Sequence, residues 1–433
     1  MILEMENKML MKINCKKLIY FQIIYNCFVK YLVIDLGFPS LLNYVTDLIT
    51  VALFIFTIKK LDYKIPRRNA ALNITFILLL CTTVSFFVDF TSITFYLWSL
   101  RNIFRFYIFF FACIYNLNES DLFKIFELLE KILVINFAIC AYEYFVEGVN
   151  YDFLGGSFGN GATGGNGPLN ILMVVVTGYV LIQYVHNKKK WPEVMGIIVG
   201  CLAIAVVAEL KFYFFEIIIA VLFVVGFVKH NFKMLATIGI LCILGYLAVA
   251  LYNRFYSNNV GFLSLEFIED YALTRTYGSA TDINRLTAID VISETCFDGD
   301  LKDIWFGVGL GNGTSAQFDF LQSPFFIQFG DRIKYTWFTH ATMFVEGGYI
   351  GLILYFAFYI VIAVKEMLAL KNNLLMQLGL YCCISSIIMV VYNQTMQIES
   401  MGYTMFALLA IPYIIDISNR RKGQYEKSSY NYA

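Results

Sequence analysis

Apolar residues run along this chain in blocks too long for the core of a soluble domain. "KKLIYFQIIYNCFVKYLVIDL", "ALNITFILLLCTTVSFFV" and "WFTHATMFVEGGYIGLILYF" each reach the ~17–25 residues that a helix needs to cross the hydrocarbon layer of a bilayer. Read this way, the pattern predicts spans near 18–37, 41–58, 70–89, 96–116, 123–146, 168–186, 193–208, 211–229, 233–252, 338–364, 374–392 and 401–417. The least marked boundary is "AELKFYF", Ala208 to Phe214, between two of them. The predicted fold is an all-α polytopic membrane protein of about twelve transmembrane helices. It divides into 1–252 (nine spans, with a glycine-rich loop at 147–167), a long loop at 253–337, three spans in 338–418 and a tail at 419–433.

Composition agrees: 59% of the 433 residues are hydrophobic and only 15% are charged, too little charge for a soluble surface of this size. A formal net charge of +0 gives no footprint for nucleic acid. The ten cysteines do not read as a disulfide scaffold. Cys81, Cys113, Cys140, Cys201, Cys242, Cys382 and Cys383 lie in apolar runs, where Cys is a small hydrophobe, and no paired Cys/His metal spacing occurs. The first apolar run has basic flanks but no small-residue cleavage site, so it is expected to be a retained helix.

Lysine and arginine set the expected sidedness. They gather in alternate connections: Lys59, Lys60, Lys64, Arg67 and Arg68; Lys188 to Lys190; Lys229 and Lys233; Lys365 and Lys371; Arg420, Arg421 and Lys422. The N-terminal segment adds Lys8, Lys12, Lys16 and Lys17. Both termini are then cytoplasmic, and the two substantial loops, 147–167 and 253–337, face outward. Long loops on a rigid scaffold are where function concentrates.

The first of these, "EGVNYDFLGGSFGNGATGGNGPLN", is rich in glycine, which permits close backbone approach. It reads as a flexible turn, since no GK[ST] follows. In the second, "NRLTAIDVISETCF" places Leu286, Ile289, Ile292 and Cys296 on one helical stripe with Arg285 at its start. From the residues alone, a solvated bystander and a functional cation explain Arg285 equally well. "IWFGVGLGNGTS" is a glycine-punctuated turn without the βαβ context of a dinucleotide site. "DGD" at Asp298–Asp300 reads as a solvated turn rather than a metal site.

Charge inside a span costs ~2–3 kcal/mol on insertion scales, so each case invites a reason. Arg101 and Arg105 lie one turn apart in the fourth span, Glu143 and Glu147 repeat that spacing in the fifth, and Glu209 and Lys211 flank the turn between the seventh and eighth. Lys30 and Asp35 sit in the first span, where snorkelling or a buried pair suffices. For Arg101, Arg105 and Lys211 a functional role is as good a reading. An outward chamber carrying arginine, lysine and a histidine suits a polyanion on a lipid. A transporter would more often show related halves with broken helices, and no such repeat is visible.

The succession of an Arg-bearing helix start, "FGVGLGNG", a histidine and "EGGYIG" opening a span resembles the O-antigen polymerase and O-antigen ligase superfamily of membrane glycosyltransferases. "GSFGNGATGGNG" and "ELKFYFFEI" are also similar to that family. The resemblance implies a metal-independent enzyme without cofactors. It would move a glycan from undecaprenyl diphosphate to an acceptor sugar hydroxyl, at the outer face of a bacterial cytoplasmic membrane. The polymerase branch is the closer fit: its acceptor is another lipid-linked repeat unit of O-antigen, capsule or exopolysaccharide, and a chain-length regulator protein is a further partner. A ligase acting on lipid A core, and a lipid-linked glycan flippase, are the alternatives.

By the same resemblance Arg285 would hold the diphosphate, His340 would orient or deprotonate the acceptor hydroxyl, and Glu346 would orient its neighbours. Lys211, at a position where the ligases carry a Ser-Arg pair, would be a second phosphate contact. Arg101 and Arg105 are substrate-binding candidates on other grounds, their charge inside a span with Arg101 near its outer end. Two departures stand out. Ala341 follows the histidine where the family has Asn or Ser, and His340 lies roughly one helical turn nearer to Gly348. Lysine at 211 also replaces a forked guanidinium with a point charge.

Overall fold

The computed structural model describes residues 14–59, 69–160, 165–228, 232–256, 264, 269, 283–316, 318–370 and 373–430. Among them all regular structure is helical. The helices of the first part are α1 (Cys15–Ile34), α2 (Val45–Ile58), α3 (Ala70–Val88), α4 (Ile93–Asn116), α5 (Glu119–Tyr142), α6 (Asn166–Val185), α7 (Trp191–Val207), α8 (Lys211–Phe227) and α9 (Phe232–Phe255). Two short helices follow, α10 (Ala288–Thr295) and α11 (Leu301–Phe306). The chain then re-enters the bundle with α12 (Thr339–Leu368), α13 (Leu374–Tyr392), α14 (Glu399–Leu409) and α15 (Ile411–Tyr430).

Nine helical stretches among the described residues are long and apolar enough to cross a membrane. The long apolar helices mark a membrane protein. Three other predicted spans also form helices. The 24-residue α5 carries Lys124, Glu127, Glu130 and Lys131, while α7 and α8 have 17 residues each. The bundle is apolar outside as well as inside. Phe76, Leu80, Val84 and Phe87 form an exposed stripe on α3, and Ile243, Leu247 and Leu251 form one on α9. In water such stripes would be a liability; lipid tails cover them without cost.

The centre is α6, buried without interruption from Pro168 to Gln183. Gly178 receives the Tyr381 ring so closely that a Cβ there would lie 2.0 Å from Cε1. The Tyr381 hydroxyl donates to the Val174 carbonyl at 3.1 Å. Helices without a hydrophobic drive between them need such close fits and interhelical hydrogen bonds.

Several boundaries differ from those expected. α5 begins earlier, at an Asn118/Asp121 capping box, and ends in a wide turn, Glu143–Glu147, closed by Gly148. The last predicted span is two helices, broken at Ala410 just before Pro412, whose missing N–H suits the first turn of α15. The helix expected at 284–297 is shorter. Arg285 precedes it, Leu286 is exposed, and Ile283, Ala288, Ile292 and Phe297 make its buried contacts.

Contacts gather the polar segments at one end of the bundle. Asn160 N–H donates to Asp35, Asn166 to Asp152 and to the Ala208 carbonyl, and Thr339 N–H to the Asn393 carbonyl. Lys302 pairs with Asp89. Gly161 and Gly164 of the glycine-rich loop, most of 257–282, and Lys8, Lys12, Lys60, Lys64, Arg67, Arg68, Lys229 and Lys371 lie outside the described residues. What is described of the glycine-rich loop is held rather than loose. Gly156 N–H donates to Glu143 Oε2 at 2.9 Å, and Ser157 N–H to Asn136 Oδ1 at 2.8 Å. Glu143 thereby has a local structural partner.

Candidate functional site

The loop after α11 is built around Glu346. Its carboxylate is fully buried on the first turns of α12 and accepts four hydrogen bonds. Oε2 takes Ser99 Oγ and the Gly311 N–H, each at 2.8 Å; Oε1 takes the Gly313 N–H at 3.0 Å and Thr314 Oγ1 at 2.6 Å. These donors offset the cost of removing the group from water. Glu346 thus organises the segment that the sequence marks as "FGVGLGNG". Gly311 can approach only as glycine: its φ is 101°, and a Cβ would fall 2.5 Å from the Phe95 carbonyl carbon.

The same packing explains "EGGYIG". At Gly348 the backbone of α12 leaves helical geometry, with φ 58° and ψ −159°. The main chain of Trp305, on α11, lies where a Cβ would be, 2.4 Å away. Val308 N–H then donates to the Val345 carbonyl at 2.9 Å. The kink is therefore the seat of α11.

Arg285 and His340 meet directly. His340 is buried, and its Nε2 lies 2.8 Å from the Arg285 carbonyl oxygen while Nδ1 lies 3.3 Å from that of Val390. Arg285 Nε donates to the Tyr392 carbonyl at 3.1 Å. The guanidinium also stands over two rings, 4.5 Å from the Tyr392 centroid and 5.4 Å from that of Phe338. Tyr392 in turn stacks on Phe212 at 3.7 Å, with the planes 9° apart. Ring and guanidinium cannot share one face at those distances, so Tyr392 lies between Arg285 and the start of α8.

Lys211 is the residue before Phe212. Its ammonium pairs with Glu209 at 3.0 Å, and Tyr252 donates to the same carboxylate at 3.3 Å. Asp152 stands nearby. It is exposed, and its carboxylate accepts from Asn166 Nδ2 at 2.8 Å.

Arg101 and Arg105 form a separate cluster. Arg105 Nη1 pairs with Glu399 Oε1 at 2.6 Å and with Asp47 Oδ1 at 3.6 Å. Arg101 Nε donates to Asp47 Oδ2 at 3.0 Å, and its guanidinium lies 4.8 Å from the Trp98 ring. The two cations are thus matched by two acids. Beside them opens a cavity of about 170 Å³. It is lined by α4, by Thr314 and Ser315 of the Glu346-held loop, and by the turn between α13 and α14.

The predicted residues therefore fall into linked parts. Arg285 and His340 touch; Phe212, the residue after Lys211, stacks on Tyr392 beside Arg285; Glu346 holds the glycine loop; Arg105 lines the cavity, with Arg101 one turn away on α4. The aromatic pair Phe212 and Tyr392 was missed by sequence reading, for which they are ordinary span-end residues. Asp47 and Glu399 were missed too, although an acid inside the apolar run "YVTDLITVALF" was a visible signal. No protein-family model matches this chain, and no curated protein matches it in sequence.

Proposed function

We propose that the chain is a polysaccharide repeat-unit polymerase, with about twelve spans, both termini cytoplasmic and the Arg285 end facing outward. The observation that carries this reading is the placement of Arg285. Its carbonyl meets His340, its guanidinium is packed on Tyr392 and Phe338, and Phe212, the residue after Lys211, stacks on Tyr392. A guanidinium packed at one end of an apolar bundle suits a lipid-borne diphosphate; Lys211 joins it by exchanging Glu209 for phosphate.

In the reaction, an acceptor hydroxyl oxygen attacks the anomeric carbon of the donor glycan. The bond from that carbon to the diphosphate oxygen breaks, and the hydroxyl proton passes to water or to the departing diphosphate. Arg285 stabilises the charge that grows on the leaving group, with Lys211 as a second contact. His340 serves by orienting, since both ring nitrogens face main-chain carbonyls. Glu346 keeps the glycine loop in place.

The test is purified protein in nanodiscs with synthetic undecaprenyl-diphosphate-linked repeat units. A lipid-linked dimer is expected, and it disappears in Arg285→Ala. No glycosidic bond with any repeat unit, alongside movement of the lipid across the bilayer, would replace this reading with a transporter. Transfer only to lipid A core would replace it with a ligase.

A further inference from the structure

The cavity beside Arg105 has an unusual lining for the inside of a helical bundle. Apart from Ile103 and Ile398 its residues are polar, among them Asn102, Arg105, Thr314, Thr342, Gln394 and Gln397. Arg105 and Gln397, which line it, also carry buried N–H groups, Arg105 Nε and Gln397 Nε2, with no hydrogen-bond partner among the described residues. Buried donors are rarely left so unless something else supplies the acceptor.

Charge argues against an anion as that acceptor. Arg101 and Arg105 are balanced by Asp47 and Glu399. Lys30 also acts on Glu399, and Glu346 lies behind Thr314. Each cation near the cavity is answered by a carboxylate, so a diphosphate here would meet as much repulsion as attraction. Amides and hydroxyls, which both donate and accept, are instead matched to hydroxyl groups. Size limits the occupant: a cavity of ~150 Å³ takes up benzene, so this one, about 170 Å³ and partly open, holds one ring with its substituents reaching through the mouth.

We infer that this cavity binds a single uncharged sugar ring, held by the amides and hydroxyls of its lining. The identity of the ring as part of a glycan substrate rests on the transfer reading; its binding rests on the cavity alone. The lining continues directly from residues that contact Arg285: Gln394 follows Tyr392 by two residues, and Thr342 follows His340 by two. A ring held here is the acceptor sugar, while the diphosphate is held at Arg285.

The experiment uses the full chain in nanodiscs. Methyl glycosides of neutral hexoses and N-acetylhexosamines are titrated by saturation-transfer NMR, with glucuronate and inorganic pyrophosphate as charged probes. At least one neutral glycoside is expected to bind in the millimolar range. Gln397→Leu removes an unpartnered donor, so its thermal unfolding is expected at or above the wild-type temperature, with binding weakened at least tenfold. Thr336→Trp, filling the cavity from its half-buried wall, gives the same loss. The inference is overturned if no neutral glycoside binds, if binding survives both variants, or if pyrophosphate is the probe whose binding Gln397→Leu removes. Arg285→Ala separates the two claims. Sugar binding retained with dimer formation lost supports both; dimer formation unchanged in that variant sinks the transfer reading and leaves the sugar site standing.

Discussion

The imidazole of His340 bonds to the main chain of Arg285, Nε2 to carbonyl oxygen at 2.8 Å, and not to its guanidinium. A neutral imidazole carries one N–H, and the shorter contact assigns it to Nε2, so His340 ties the segment before α10 to α12 while Nδ1 only faces the Val390 carbonyl. His340→Ala should leave the Arg285 carbonyl without its donor, costing about 1–3 kcal/mol of stability. It should also lower dimer formation by displacing the cation. His340→Gln, which keeps one donor, is predicted to recover activity to within about tenfold of wild type, with an unshifted pH–rate profile. A general base would behave otherwise: Gln would be as inactive as Ala. Melting curves and pH profiles on the three proteins decide this.

Glu346→Ala would strand four donors at once: the Ser99 and Thr314 hydroxyls and the Gly311 and Gly313 N–H groups. Each buried group left unpaired costs about 1–3 kcal/mol. The predicted outcome is a large fall in melting temperature, with new proteolytic cleavage within 307–316. Glu346→Gln should be intermediate, because its NH₂ group must face one pair of donors. If Glu346→Ala melted like wild type and lost only transfer, the carboxylate would be touching substrate instead.

The helical architecture is legible in the sequence. Long apolar runs specify helices almost by themselves, because a backbone in lipid has few other ways to satisfy its polar groups. The resemblance gave Arg285 and His340 roles in one reaction. The form of their contact was not legible, since nothing in local sequence says that it is to a carbonyl. Tyr392 and Phe212 were illegible for a related reason. Their roles arise from a stacking contact between residues 180 positions apart, and aromatic residues at span ends are commonplace. Glu143 looked like a costly intramembrane charge until the Gly156 N–H appeared beside it.

Gly348 and Gly351 look equivalent in sequence, one turn apart on α12, both suited to a close neighbour. Their surroundings differ. Gly348 holds a backbone conformation open essentially to glycine alone, worth about 1–3 kcal/mol to any other residue, and its Cβ position is filled by Trp305 main chain. Around Gly351 the nearest atoms to an added Cβ are at 3.7 and 3.9 Å, ordinary contact distances. Gly348→Ala should therefore strongly reduce the amount of folded protein in the membrane, and Gly351→Ala should be accepted with near-normal yield. Size-exclusion profiles of the two variants measure this; equal behaviour would remove α11 docking as the reason for the glycine pair.

The Arg105–Glu399 pair gives a prediction whose sign depends on a second substitution. Arg105 is 5% exposed, so removing its charge alone leaves Glu399 as an uncompensated buried carboxylate. Arg105→Met is expected to destabilise the protein by about 3–5 kcal/mol. Adding Glu399→Gln removes the stranded charge, leaving Arg101 paired with Asp47. The double variant should recover most of that loss, since a buried ion pair is seldom worth more than the neutral groups that can replace it. Thermal unfolding of wild type, both single variants and the double variant completes the cycle. Additive losses would mean that the two side chains are not coupled. Recovered stability without recovered sugar binding would show that the pair is kept for the cavity it borders.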